Sequence, residues 1–464
     1  MPGQVVPLLA CVLLLLHVPP ASASTWTEQQ QLAASDAAAG DVFGDSVSIS
    51  GDYAVIGASR DESRQGSAYI FHRSGSAWTQ QSKLVAGDGV ATDYFGLSVS
   101  ISGDTVAVGA SQKDSTSPSL SRSGSAYVFV RSGTSWTQQA KLTASDAAAT
   151  DQFGNSVAIS GDYIIVGASS DDLTDGSNLG EGSAYIFLRT GTSWSEQAKL
   201  TASDGSSSDN FGISVSISGD YATVGANGAG SGSPGQAYVF VRSGTSWTEQ
   251  AILTASDGVG GADFGRAVSI SGSYVVIGAR KESGTGTSQP QRGSAYVFKR
   301  TGSSWIQMQK LTASDAADYL QFGESVSISD SSIIVGAPTA GHHTDNYGAA
   351  YIFVSDGTTW TEQQKIASSD NAQNDLFGWS VVISSDDVLV GARADDYDPG
   401  SGSLVDSGSA YVFTRPASPG PSTSPGPSTS PGPSTSPTAT SGTQSHRIQA
   451  LCLSALAVCV TLLV

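Results

Sequence analysis

Seven near-copies of one text fill most of this chain. The copy from Trp136 to Trp194 reads WTQQAKLTASDAAATDQFGNSVAISGDYIIVGASSDDLTDGSNLGEGSAYIFLRTGTSW. A fixed period of roughly 55 residues restricts the fold to a stack of like units, as in a propeller or a solenoid. The anchors keep strict register. Trp26, Trp78, Trp136, Trp194, Trp247, Trp305 and Trp360 each precede a Phe-Gly by 17 residues, and a Gly-Ala follows each Phe-Gly glycine by 13. A tyrosine (Tyr69, Tyr127, Tyr185, Tyr238, Tyr296, Tyr351, Tyr411) follows, and the next Trp, where there is one, comes nine residues later. All length variation falls between Gly-Ala and that tyrosine, which makes this segment a surface loop.

Each unit predicts four short strands. The first alternates from Phe-Gly (Phe153, Val157, Ile159), Ser-Gly-Asp turns the chain, and the second runs from Tyr163 to Ala168. The third runs from Ala184 to Arg189 and the fourth from Trp194 to Leu200. Four antiparallel strands per unit are a propeller blade. The domain starts on a lone fourth strand, Trp26 to Leu32, and stops after a third strand, Tyr411 to Arg415. The expected fold is therefore all-β, a seven-bladed β-propeller over residues 24–415. Its N-terminal strand pairs into the last blade and leaves no open edge.

Phe-Gly followed by Gly-Ala, with Gly336-Ala337-Pro338 as its fullest form, resembles the FG-GAP repeats of the integrin alpha-subunit headpiece. The resemblance covers residues 26–415. Kelch repeats share the Tyr before Trp but carry a double glycine that is absent here, and both families are propellers. Integrin-type repeats often hold an Asp-rich calcium loop between Phe-Gly and Gly-Ala. Here that interval holds two strands and a Ser-Gly-Asp turn, too few oxygens for Ca²⁺.

The recurring positions read as structural. Each Trp is expected to pack between blades. Ser46, Ser98, Ser156, Ser214, Ala267, Ser325 and Ser380 share one face of the inner strand, where converging blades admit only small side chains. The glycine of Gly-Ala then allows close backbone approach. The mature domain has no cysteine, since Cys11, Cys452 and Cys459 lie outside it, and the chain has no N-glycosylation sequon.

Strand alternation puts the fourth-to-first connections and the variable loops on one face. That face is acidic, with Asp pairs such as Asp36/Asp41, Asp88/Asp93, Asp146/Asp151, Asp204/Asp209 and Asp370/Asp375. Turn capping is the first expectation for them. Weak cation binding is the second, with Ca²⁺ as the candidate in two denser clusters, Asp171, Asp172 and Asp175, and Asp395, Asp396 and Asp398. One position two residues after each Phe differs in every unit: Asp45, Leu97, Asn155, Ile213, Arg266, Glu324 and Trp379. It lies at the mouth of the central channel. Trp379, Arg266 and Glu324, with Asp45 and Asn155 beside them, form a candidate pocket in which Trp379 would stack on a sugar or peptide; drift at a solvated rim is the alternative. His342-His343 near Asp345 is an isolated pair, and no catalytic constellation stands out.

The remaining text is targeting. Residues 1–23 resemble a signal peptide, with an apolar core from Leu8 to Val18 and Ala21-Ser22-Ala23 as the cleavage site; an uncleaved anchor is the alternative. Residues 416–440 are a Pro/Ser/Thr stalk suited to O-glycans. Residues 441–464 have the order of a GPI-anchor signal, with Ser441 as the attachment residue and Ala439 or Gly442 as alternatives; a short transmembrane tail is the competing reading. The formal charge of −19 argues against a nucleic-acid partner. Together these features predict a cell-surface protein that binds an extracellular protein or glycan through the loop face, held to the membrane by a lipid anchor. An extracellular hydrolase of carbohydrate or phospholipid and a structural coat protein are the other readings.

Overall fold

The computed structural model describes residues 25–114, 121–172, 180–228, 232–283, 291–340, 346–397 and 404–415. These residues form seven antiparallel four-stranded sheets. In the third blade the strands are Phe153–Ser160, Tyr163–Ala168, Ser183–Thr190 and Ser193–Leu200. Ser160 pairs with Tyr163, so the first hairpin turns on Gly161 and Asp162 alone. Gly161 has φ +59°, the left-handed first residue that a two-residue type II′ hairpin requires.

Two irregularities recur and set the geometry of the blades. Phe153 pairs with Ala168 but Ser156 pairs with Gly167, which leaves Gly154 and Asn155 outside the ladder as a bulge. The same shift occurs in four further blades. A second bulge sits on the outer strand: Ile70 pairs with Ser82 and Phe71 with Gln80, which frees Gln81. A bulge releases its extra residue from pairing and re-aims the side chain. Both are used here, the inner one at the channel mouth and the outer one between blades.

Blade contacts follow from the repeated side chains. Phe153 is fully buried and meets Tyr185 and Phe187 edge-on at 5.5 and 5.9 Å. Burying one such ring contributes about 1.5–3 kcal/mol, and the seven copies supply much of the core of a domain without cysteine. The Trp136 ring packs against Tyr53 of the preceding blade, and its indole N–H donates to the bulged Gln81 at 3.0 Å. Trp194, Trp247 and Trp305 donate in the same way to Gln139, Gln197 and Gln250. The expectation that the tryptophans join neighbouring blades is met.

Near the axis the blades touch through backbone. The Ser156 hydroxyl donates to the Gly212 carbonyl of the next blade at 2.8 Å, and Ser46, Ser98, Ser214, Ser325 and Ser380 repeat the bond. Ala267 is the exception in sequence. A Cβ on Gly167 would overlap the Gly212 carbonyl oxygen, so this glycine is required by close approach, as its place in the repeat suggests.

The ring closes as the sequence predicts. Thr27–Leu32 pairs antiparallel with Ser409–Thr414 and completes the seventh sheet. It is tied on both flanks. The Trp26 amide donates to Gln364 of the sixth blade at 2.8 Å, and the Trp78 amide of the first blade donates to Gln30 at 2.9 Å.

Candidate functional site

All seven inner strands line one cavity of about 220 Å³ on the ring axis. The divergent residues Asp45, Leu97, Ile213, Arg266, Glu324 and Trp379 surround it. Asn155 is turned sideways, and its amide donates to the Ile213 carbonyl at 3.3 Å. In five blades the divergent position is thus the residue that the inner bulge frees from the ladder, and the fold brings the predicted residues to one mouth.

The mouth has a charged side and a neutral one. On the charged side, Arg266 binds Glu324 Oε1 through Nε (3.1 Å) and Nη2 (2.8 Å), while Arg280 Nη1 holds Oε2 at 2.8 Å. Arg280 and Lys281 both reach Asp263 at 2.9 Å. Burial alone would raise the Glu324 carboxyl, but the two guanidiniums overcome it and hold the group below the usual range. Asp45 accepts from Ser59 Oγ at 2.5 Å and from Arg393 Nη1 at 3.2 Å. Leu97, Asn155 and Ile213 make up the neutral side.

Trp379 is not a bare stacking platform. The Arg393 guanidinium lies 3.4 Å from its ring centroid and covers one face. Arg393 and Arg280 were not anticipated as members of the mouth. Their signal was available, because Gly-Ala is followed by Arg only in these two blades, at Gly391-Ala392-Arg393 and Gly278-Ala279-Arg280.

The acidic loops resolve into a repeated cage around each tyrosine. Asp146 accepts from the Tyr185 hydroxyl at 2.9 Å and pairs with Lys199 at 2.7 Å. Asp88, Asp257 and Asp315 do the same with Tyr127 and Lys141, Tyr296 and Lys310, and Tyr351 and Lys365. The second Asp of a pair caps the turn: Asp151 accepts from the Ala148 amide at 2.5 Å and Asp375 from Ala372 at 2.5 Å. Asp36 from a fourth-to-first loop and Asp61 from a variable loop share Lys83 at 2.6 and 2.7 Å, which puts both kinds of loop on one face, as predicted.

The described members of the two candidate calcium clusters have protein partners. Asp171 turns inward to the Tyr185 hydroxyl (3.1 Å) and Lys199 (2.7 Å), while Asp172 accepts from the Gly180 amide at 2.8 Å. Asp395 turns to the Tyr411 hydroxyl and Gln31, and Asp396 accepts from the Asp406 amide. Asp175 and Asp398 lie outside the described residues, as do His342, His343 and Asp345. Among the described residues, no three His, Cys, Asp or Glu side chains converge as a metal site would need. Asp171, Asp172, Asp395 and Asp396 are each held by a donor of the protein.

A family model described as FG-GAP repeat matches residues 26–71, 78–129, 136–187, 194–240, 247–298, 305–353 and 360–413. The chain belongs to the FG-GAP repeat family. Each matched segment starts at one of the seven tryptophans and ends on the third-strand phenylalanine, so the FG-GAP unit runs one strand out of phase with the blade. That offset is what makes the N-terminal strand close the ring. No curated protein matches the chain at a significant level.

Proposed function

We propose that this FG-GAP propeller is a cell-surface recognition protein that binds an extracellular protein or glycan through its loop face, with the channel mouth as one contact. One observation supports this reading most. On a frame whose flanking positions repeat sevenfold, the residue two after the Phe of Phe-Gly, at the mouth, differs in every blade. A purely structural position would be expected to repeat with its neighbours. The mouth offers apolar contact from Leu97 and Ile213, and charge that is fixed in pairs before a ligand arrives, which suits orientation of a ligand more than bond making. At about 220 Å³ it accommodates one side chain or one sugar ring.

The surface location rests on the text of the two ends, residues 1–23 and 416–464, which lie outside the described residues. In this reading the propeller is carried on the Pro/Ser/Thr stalk and held by a lipid at Ser441. The test is release of the protein from intact cells by phosphatidylinositol-specific phospholipase C. The released domain is then screened on protein and glycan arrays, beside the Trp379→Ala variant. Release, and a bound ligand that the variant loses, would support the whole reading. An unchanged array pattern in the variant would remove the mouth from it, and retention on the cells after lipase treatment would count against the anchor.

A further inference from the structure

We propose that the loop face over the first two blades binds an acidic glycan, a polysaccharide bearing carboxylate or sulfate groups, through Arg60, Arg64 and Arg122. The inference rests on the loop-face reading above and narrows it to a ligand chemistry and a place. Every other described Lys and Arg is in an ion pair or lies over an aromatic ring. Arg60, Arg64 and Arg122 have neither among the described residues, and all three are exposed. In a chain with 41 acidic against 22 basic residues, partners are abundant. Three unpaired guanidiniums on one face of two adjacent blades are therefore a departure from the pattern of the molecule.

Their positions are pinned by backbone. Arg64 and Arg122 hold the same place in their blades, two residues before Gly66 and Gly124. Both are left-handed, with φ +68° and +55°. The Arg64 carbonyl accepts from the Tyr94 amide at 2.9 Å and the Arg122 carbonyl from the Gln152 amide at 3.2 Å. The other blades carry Gly180, Ser233, Gln291, Asn346 and Asp406 there, so no third blade repeats the charge. Arg60 joins the same turn as Arg64, whose amide donates to the Arg60 carbonyl at 2.9 Å. Glu62, Ser63 and Arg64 are left-handed in succession, and among the described residues no other run of three non-glycine residues is. Each such residue costs about 1–2 kcal/mol, and strain of this kind concentrates at ligand sites.

The surroundings suit a charged sugar. Arg60, Ser63 and Arg64 line a cavity of about 660 Å³ together with the carboxylates Asp36, Asp41, Asp61 and Glu62. Arg122 lines a second, of about 360 Å³, with Thr150, Gln152, Ser170, Ser208 and Asn210. This second lining holds hydroxyls and amides, with no carboxylate and no aromatic side chain. A protein partner would want a buried apolar anchor, whereas sugar hydroxyls want this lining. The guanidinium fork matches carboxylate and sulfate oxygens two at a time. Several neighbouring acids are paired, Asp36 and Asp61 with Lys83, Asp93 with Lys113 and Asp88 with Lys141, while Asp41 accepts from the Ala38 amide and Asp114 from the Arg122 amide. Glu62 is exposed beside the arginines and opposes an anion. The acidic remainder of the surface is screened beyond about 8 Å at physiological salt.

The test uses the whole ectodomain on a biosensor at about 0.05 M salt, with dextran sulfate, polygalacturonate and uncharged dextran as probes. The expected result is salt-sensitive binding of at least one polyanion and none of the neutral dextran. The preferred polyanion identifies sulfate or carboxylate as the group recognised. The R60Q/R64Q/R122Q variant should weaken that binding about tenfold or more, K299Q, whose ammonium lies over the Tyr274 ring, should leave it unchanged, and E62Q should strengthen it. Matching melting curves show that the triple variant is folded. Absence of binding to either polyanion, or equal affinity in the triple variant, overturns the proposal. Array hits on other ligands in that case leave the broader loop-face reading standing.

Discussion

The Ser380 hydroxyl donates to the Gly44 carbonyl at 2.8 Å and so joins residues 336 positions apart in the chain. It is the same bond that Ser46, Ser98, Ser156, Ser214 and Ser325 make to the next blade, drawn here across the point where the ring closes. The closing interface is thus built like the internal ones. What differs is covalent: the outer strand of the seventh sheet comes from the opposite end of the domain.

That difference predicts a weak point. Trp26 is buried in the slot between the sixth and seventh blades, and its amide and carbonyl are both held by Gln364. Trp26→Ala removes a large buried ring and should cost about 3–5 kcal/mol. The loss should appear first at the seam. Hydrogen exchange is expected to speed up in Thr27–Leu32 and Ser409–Thr414 before the fourth blade, whose sheet includes neither strand, is affected. Uniform acceleration in all seven blades would show that the ring opens as one unit and not at its seam.

The close approach at the axis gives a second prediction. A Cβ on Gly391 would overlap the Gly44 carbonyl oxygen and crowd the Ser380 hydroxyl. Backbone cannot yield there without parting the first and seventh blades. Gly391→Ala should therefore reach or exceed the upper end of the about 1–3 kcal/mol typical of overpacking. Gly51→Ala is a useful contrast. It meets nothing within 4 Å and pays only for its left-handed φ of +59°, about 1–2 kcal/mol. Thermal melts of the two variants should rank Gly391→Ala as the less stable.

The sevenfold register, the strand order and the closure were all legible in the sequence, because the spacings from Tyr through Trp and Phe-Gly to Gly-Ala never vary while the loop between Gly-Ala and Tyr does. The axial serines and glycines were legible too, since convergence at a ring axis leaves room for nothing larger. The inner bulge was not. A two-residue shift between Phe43 and Ser46 leaves no trace in a pattern whose flanks keep phase. The tyrosine cage was only half visible. The Asp pairs stood out, but Lys83, Lys141 and Lys199 lie five residues after a Trp on the outer strand, and only blade geometry carries them to the acids. The left-handed turn at Glu62-Ser63-Arg64 had no signal, because none of its residues is glycine, asparagine or aspartate.

Glu324 gives the third prediction, from an asymmetry in its contacts. Its carboxylate is buried and holds two guanidiniums, while each arginine stays partly in water. Removing the acid leaves two cations facing each other, and Glu324→Ala should cost about 3 kcal/mol, the low end for a broken buried pair. Arg266→Ala should cost about 1 kcal/mol or less, because Glu324 keeps Arg280 and the lost side chain is a quarter exposed. Equal losses in denaturant melts of the two variants would contradict this account of the mouth.

Asp151 and Asp375 set the pH response. Burial pushes each up to about 7, with Asp171 and Asp395 adding like charge nearby. A carboxyl that holds its proton more tightly when folded stabilises the protein while protonated. That contribution is fully present below the unfolded value of 3.8 and is lost as pH rises to about 7. Asparagine imitates the protonated group, and its oxygen can still accept from the Ala372 amide. Asp375→Asn should therefore melt above the parent protein at pH 8, and the difference should shrink on going to pH 5, where the parent is itself protonated. Comparing variant with parent at each pH cancels the opposite contribution of Asp88, Asp146, Asp257 and Asp315. Their lysine-paired carboxyls lie below the usual range and act only in stronger acid. A difference that stays constant from pH 5 to pH 8 would show that Asp375 is ionised throughout, and that its bond to the Ala372 amide outweighs its burial.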